Sequence, residues 1–127
     1  MRVHHIGYVV KNIQRYKRNL AVQDVIKRVY DKTQNATLEL IKCDNIYIEL
    51  IEPDNTNAFT YDFLQKGGGY HHLCYELSSK KEADDYIKKL KMIKVLDFVF
   101  APLLEAEVVF AYNRNKEIVE FVICPKI

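Results

Sequence analysis

The stretch HHIGYVV (residues 4–10) near the beginning of the chain is matched by HHLCYEL (residues 71–77) just past its midpoint. Together they contain all four histidines of the 127 residues. Each is followed by an apolar stretch that contains a glutamate, IYIELI (residues 46–51) in the first case and EIVEFV (residues 117–122) in the second. Glu49 follows His5 by 44 residues and Glu120 follows His72 by 48. Separations this similar indicate two copies of one structural unit.

Each copy has the hydrophobic periodicity of one strand, one helix and three further strands. In the first copy the spacing of Ile13, Tyr16 and Leu20 behind Asn12 predicts a helix over 12–20, with strands at 3–10, 25–30, 37–42 and 46–51. The second copy predicts a helix over 81–91, with strands at 70–77, 95–100, 106–112 and 117–123. A short connecting helix is expected over 57–66, ended by the glycines at 67–69. We therefore expect one domain with module one at 1–56, a connecting segment at 57–69 and module two at 70–127.

The composition excludes several classes of protein. Hydrophobic residues make up 49% and charged residues 28%, which is typical of a globular chain. The formal charge of only +2 gives no electrostatic basis for a nucleic acid partner. No apolar run approaches the roughly 20 residues of a membrane helix, and the N-terminus lacks an apolar signal region. The three cysteines show no C-x-x-C spacing, which argues against a disulfide framework or a cysteine zinc site. We expect a cytoplasmic protein.

Strand alternation predicts which side chains share a face. His5 and Gly7 lie on one face of the first strand, and the more apolar face opposite should pack on the helix. The same parity places His72 with Cys74.

Glu49 and Glu120 interrupt apolar strands, where a buried carboxylate without a partner would cost several kcal/mol. Two imidazoles and two carboxylates suit one divalent Co, Ni, Mn, Zn or Fe ion. We therefore predict four metal ligands: His5, Glu49, His72 and Glu120. A hydrogen-bonded His–Glu pair in each copy, without metal, remains the alternative.

Four short motifs resemble the vicinal oxygen chelate superfamily, in particular its glyoxalase I and methylmalonyl-CoA epimerase branch. They are HIG (residues 5–7), ELIEP (49–53), GGGYHH (67–72) and VEF (119–121), and the resemblance covers essentially the whole chain. It implies an α+β fold of two tandem βαβββ modules that form a curved mixed sheet around a metal-binding cleft. It also implies the same four ligands and a homodimer.

The resemblance implies a divalent-metal-dependent epimerase or isomerase that acts next to a carbonyl through an enolate, on an acyl-CoA or a thiol adduct. A glyoxalase I-like lyase acting on a thiol hemithioacetal and a non-catalytic binding protein are the alternatives. Arg114 and Lys116 flank the last turn, where many relatives differ, which leaves the substrate open.

Inversion at a carbon requires groups on both sides, and Glu120 and Glu39 are the predicted catalytic residues. A one-residue shift in the strand register decides whether Glu39 faces Glu49.

Overall fold

The computed structural model describes residues 1–21 and 23–127 and contains eight strands and three helices in that part of the chain. The strands are β1 (Arg2–Val9), β2 (Asp24–Asp31), β3 (Ala36–Cys43), β4 (Ile46–Pro53), β5 (Gly69–Leu77), β6 (Ile93–Ala101), β7 (Ala106–Tyr112) and β8 (Ile118–Ile123). The helices are α1 (Ile13–Lys17), α2 (Tyr61–Gln65) and α3 (Lys80–Lys89). None of these helices has the length and apolar character needed to cross a membrane.

Two helices are shorter than predicted. Asn12 caps α1 as expected, since its side chain accepts a hydrogen bond from the Arg15 amide. The amides of Asn19 and Leu20 then donate to carbonyls three residues back, which tightens the chain into a final turn and ends the α-helix at Lys17. Helix α2 begins only at Tyr61 rather than at 57, because residues 55–60 form turns.

The chain divides into two compact units, an N-terminal unit (His5–His71) and a C-terminal unit (Met1–His4 with His72–Ile127). In the N-terminal unit the strand order is β2-β3-β4-β1, with β1 parallel to β4 and the other neighbours antiparallel. Helix α1 covers one face of these strands, where Ile13 packs with Val10, Ile41 and Leu50.

The C-terminal unit repeats this arrangement in the order β5-β8-β7-β6, with β5 parallel to β8. Ala83 and Ile87 of α3 pack on Val109 and Phe121. Each unit is therefore a mixed four-stranded βαβββ element with a helix on one face, and the predicted α+β class is confirmed.

Candidate metal centre

The first histidine–carboxylate pair lies in the N-terminal unit. Glu49 on β4 is directly opposite Gly7 on the parallel strand β1, two residues beyond His5 on the same face. The Nε2 atom of His5 is 3.8 Å from Oε1 of Glu49. His5 is 0% exposed and Glu49 is 4% exposed. This carboxylate is thus held out of water beside an imidazole nitrogen.

The second pair lies in the C-terminal unit and is built in the same way. Glu120 on β8 is opposite Cys74 on the parallel strand β5, two residues beyond His72. The Nε2 atom of His72 is 3.0 Å from Oε1 of Glu120, and the exposed fractions are 1% and 2%. The Phe110 ring meets the His72 ring edge-on at 5.7 Å between centroids, which fixes the imidazole on its apolar side.

The four buried residues supply imidazole nitrogens and carboxylate oxygens as donor atoms. Both kinds of donor fit a divalent first-row metal, because a carboxylate matches its positive charge and imidazole suits Zn, Co, Ni, Mn or Fe. Two ligand atoms bound about 2.1 Å from one ion lie roughly 3.0–3.4 Å apart in octahedral or tetrahedral geometry. The distances of 3.0 and 3.8 Å within the pairs lie close to that range. Each pair is therefore compatible with shared coordination of an ion.

The strand register, which the sequence left open, decides the face on which Glu39 lies. In the register of β3 and β4 it is opposite Leu50, whereas Leu40 is opposite Glu49. Directly opposed residues share a face, so Glu39 and Glu49 point to opposite faces. The sequence left this register open, and the observed pairing turns Glu39 away from the face of Glu49. Glu39 is 3% exposed, and the Nζ atom of Lys17 from α1 is 3.1 Å from its Oε2.

The remaining two histidines are buried but are not placed with Glu49 or Glu120. Nε2 of His4 is 2.8 Å from the main-chain oxygen of Ile127. The His71 ring packs edge-on against Phe63 and Phe59, at 4.8 and 6.0 Å between centroids. Adjacent strand residues point to opposite faces, so His4 and His71 lie on the other faces of their strands from His5 and His72.

Two polar residues on the Glu49 face were missed from the sequence. Lys27 on β2 is opposite Leu40, which is opposite Glu49, so Lys27 lies on that face. Tyr47 precedes Glu49 by two residues on β4 and shares its face. A bulge in the β2–β3 pairing between Val25 and Lys27 sets which residues of β2 face this way. Only the register of three strands, which the sequence does not show, identifies Lys27.

A family model described as the glyoxalase/bleomycin resistance protein/dioxygenase superfamily matches residues 4–102. The chain belongs to this superfamily. This agrees with the resemblance found in its short motifs. No curated protein matches the chain.

Solved structures similar to this chain share its fold at low sequence identity. A hypothetical protein of Bacillus halodurans is 23% identical with a TM-score of 0.83, covering 96% of this chain and 93% of the other. Methylmalonyl-CoA epimerase of Mycobacterium tuberculosis is 16% identical with a TM-score of 0.81, covering 95% and 86%. A Streptomyces coelicolor methylmalonyl-CoA epimerase in complex with 2-nitronate-propionyl-CoA is 17% identical with a TM-score of 0.83, covering 97% and 96%. At these identities the likeness establishes the fold.

Proposed function

We propose that this protein is a metal-dependent epimerase or isomerase that removes and returns a proton next to a carbonyl, through an enolate. The observation that carries the proposal is the repeated, buried pairing of one histidine with one glutamate in each unit. The epimerases among the structural neighbours support the choice of reaction. Their complexes with acyl-CoA compounds support a small-molecule substrate, with an acyl-CoA or a thiol adduct as its class.

We propose that His5, Glu49, His72 and Glu120 hold one and the same divalent ion. Protein metal sites of this kind use three or four protein ligands, and either pair alone provides only two side chains. A bound ion would supply Lewis acidity towards the carbonyl oxygen of the substrate.

Glu120 is the group we assign to proton transfer. Its Oε1 atom lies 3.0 Å from the imidazole of His72, which positions the carboxylate. Glu120 is only 2% exposed, and in such a buried site its electrostatic interactions are stronger than they would be in water. Glu39 is not part of this proposal, because it lies on the other face of its strand.

The position of Glu39 also favours a second candidate, a glyoxalase I-like lyase. Epimerisation requires a proton donor on each side of one carbon, whereas transfer between adjacent carbons on one face requires a single base. Because Glu39 lies on the other face, Glu120 is the one base assigned to proton transfer. One base is sufficient for the lyase reaction, whose substrate would be a thiol hemithioacetal. Trial substrates of both kinds separate the two candidates.

Metal content tests the ligand set. Protein purified without chelator should contain close to one transition-metal ion per chain by elemental analysis, and His5→Gln or His72→Gln should lose most of it. The matched controls are His4→Gln and His71→Gln, which alter neighbouring buried rings on the same strands and should retain the ion. Two ions per chain, or full occupancy in His5→Gln and His72→Gln, would contradict the proposal of one shared site.

Proton exchange tests the reaction. In heavy water the metal-loaded protein should catalyse incorporation of deuterium at the α-carbon of a 2-methyl acyl-CoA, and Glu120→Gln should abolish it. Turnover of a glutathione hemithioacetal without such exchange would instead establish the lyase.

Sedimentation at micromolar concentration checks the homodimer, which we propose only on the family resemblance.

A further inference from the structure

A cleft of about 500 Å³ opens in the C-terminal unit where β7 ends and β8 begins. Its lining consists of Lys91, Ile93, Tyr112, Asn113, Arg114 and Lys116, and we call it the cationic cleft. Three of these six residues are basic and none is acidic. Tyr112 and Ile93 add an apolar part to the lining, being 42% and 71% exposed. The cleft therefore combines positive charge with apolar surface that nothing in the unit covers.

The three cations of the cleft have no carboxylate partner within the described part of the chain. Lys80, Lys81 and Lys94, in the same unit, all form ion pairs, whereas Lys91, Arg114 and Lys116 form none there. The nearest acidic neighbour in sequence, Glu117, accepts a hydrogen bond from the Asn113 side chain at 3.1 Å. A concave surface lined by one sign of charge attracts the opposite sign. The ligand chemistry that fits is an anion.

The turn that bears Arg114 and Lys116 is held rigidly. The Asn113 side-chain oxygen accepts hydrogen bonds from the amides of Asn115 and Glu117, at 2.9 and 3.0 Å. Lys116 has a φ of 63° and Lys91 a φ of 55°, both in the left-handed region where a β-carbon is disfavoured. The backbone that carries Arg114 and Lys116 is therefore ordered before a ligand binds, which lowers the entropy cost of binding.

The apolar floor of the cleft shares a face with the His72–Glu120 pair. Tyr112 is opposite Ile118, and Ile118 is opposite His72 on the other side of β8. Since directly opposed residues share a face, Tyr112 and Ile118 lie on the same face as His72. Lys116 precedes Glu120 by four residues, so the two backbone positions are at most about 14 Å apart. One extended small molecule can therefore reach both.

We propose that the cationic cleft binds a phosphate or pyrophosphate group of a ligand whose reacting end lies beside His72 and Glu120. This inference rests on the proposed function for the position of the reacting end, but the anion site itself does not. Phosphate is the favoured anion because an arginine guanidinium donates two parallel hydrogen bonds to it and lysines add point charges.

Direct titration with inorganic pyrophosphate, followed by amide NMR shifts in low salt, tests the anion site without any turnover. The test variant is Arg114→Gln combined with Lys116→Asn, because asparagine tolerates the left-handed backbone and the fold is kept. We expect binding at least tenfold weaker than in the unchanged protein, with the largest shifts at residues 113–116. The matched control is Lys126→Asn, another exposed lysine of the same unit, which should bind as the unchanged protein does. Equal affinity in the test variant, or equal weakening in the control, overturns the proposal.

A kinetic comparison then links the cleft to the reaction. For a phosphate-bearing acyl thioester the test variant should raise KM at least tenfold with kcat unchanged, and for a truncated thioester without phosphate neither constant should change. An equal rise in KM for both substrates overturns the link to the substrate. If the protein shows no proton exchange at all, the proposed function fails while pyrophosphate binding still decides the anion site.

Discussion

The two units place different side chains at one equivalent position beneath their helices. On β3 the sequence Leu38-Glu39-Leu40 occupies the place that Val108-Val109-Phe110 occupies on β7, because Leu40 is opposite Glu49 and Phe110 is opposite Glu120. Val109 is 0% exposed and packs with Ala83 and Ile87 of α3. Glu39 is equally covered, but its carboxylate meets Lys17 of α1. The N-terminal unit thus has a buried ion pair where the C-terminal unit has apolar packing.

This difference shows that a glutamate inside a strand has at least two uses in one chain. Glu49 and Glu120 face the histidines, whereas Glu39 pairs with a lysine of the helix that packs on its sheet. A buried ion pair is weak evidence for net stability, because desolvation offsets much of the attraction. Its partners nevertheless depend on each other, so exchanging residues between the units should reveal the dependence.

The largest effect is expected from Val109→Glu, which places the N-terminal unit's residue in the C-terminal unit. The carboxylate would be buried among Ala83, Ile87 and Phe121 without a cation, at a cost of several kcal/mol, comparable to the whole stability of a small domain. We expect an unfolded or insoluble protein by circular dichroism. Val109→Met, which adds volume without charge, should cost only about 1–3 kcal/mol. If Val109→Glu folds with near-normal stability, position 109 tolerates a buried carboxylate as position 39 does, and the proposed difference between the two units is wrong.

The reverse exchange should have a smaller effect. Glu39→Met leaves the largely buried Lys17 ammonium without its nearest carboxylate, so the free energy of unfolding should fall by about 3 kcal/mol. Combining it with Lys17→Met should restore most of that loss, because well-packed apolar side chains replace a buried pair at little cost. Denaturant unfolding of the two single variants and the double variant gives the coupling energy.

The Glu39→Met variant also tests the catalytic role that the sequence predicts for Glu39. The metal content and α-proton exchange of Glu39→Met should match those of the unchanged protein at temperatures where both are folded. Loss of exchange in the folded, metal-loaded variant would return Glu39 to the mechanism and contradict the strand register.

The three strand glutamates mark the limit of what the sequence could predict. The internal duplication predicts the two repeated units, because the same motifs recur at nearly the same separations. It also predicts the pairing of His5 with Glu49 and of His72 with Glu120, which the structure shows. The face of Glu39 depends on a hairpin register, and one residue of slip reverses it. The face of Lys27 could not be predicted either, because a bulge between Val25 and Lys27 shifts the register of β2 against β3. Periodicity within one strand carries no information about the pairing between strands.

Helix capping should contribute about 1 kcal/mol to stability in each unit. The Ser79 side chain accepts from the Glu82 amide at the start of the ten-residue α3, and Asn12 accepts from the Arg15 amide at the start of the five-residue α1. Glu52 also accepts a hydrogen bond from the Ile13 amide at 2.8 Å. Ser79→Ala and Asn12→Ala should therefore each lower stability by about 1 kcal/mol in denaturant unfolding.

A change at Glu52, which accepts a hydrogen bond from the Ile13 amide, tests how much the Asn12 cap contributes to α1. Glu52→Gln keeps an acceptor for the Ile13 amide but removes its charge, so it should cost less than Asn12→Ala. A larger loss in Glu52→Gln would mean that charge at this helix end matters more than the asparagine cap.

The smallest effect concerns the edge strand of the C-terminal unit. The Phe98 amide donates to Asp97, and the Lys94 ammonium lies 3.0 Å from the same carboxylate; together they hold the pKa of Asp97 below its ordinary value. A carboxyl group whose pKa is lower in the folded state stabilises the fold above its unfolded pKa, and this contribution is lost as the pH falls through the folded pKa. Between pH 5 and pH 2 the unfolding free energy of Asp97→Asn should therefore fall less steeply than that of the unchanged protein. The effect should be slight and reduced by salt, because Asp97 is exposed and Lys94 also pairs with Asp84. Asp24→Asn on β2, the edge strand of the N-terminal unit, removes the same charge at a site that lacks these two contacts, and it is the matched control for overall charge. An equal change in both variants would show that the acid sensitivity reflects overall charge rather than the contacts of Asp97.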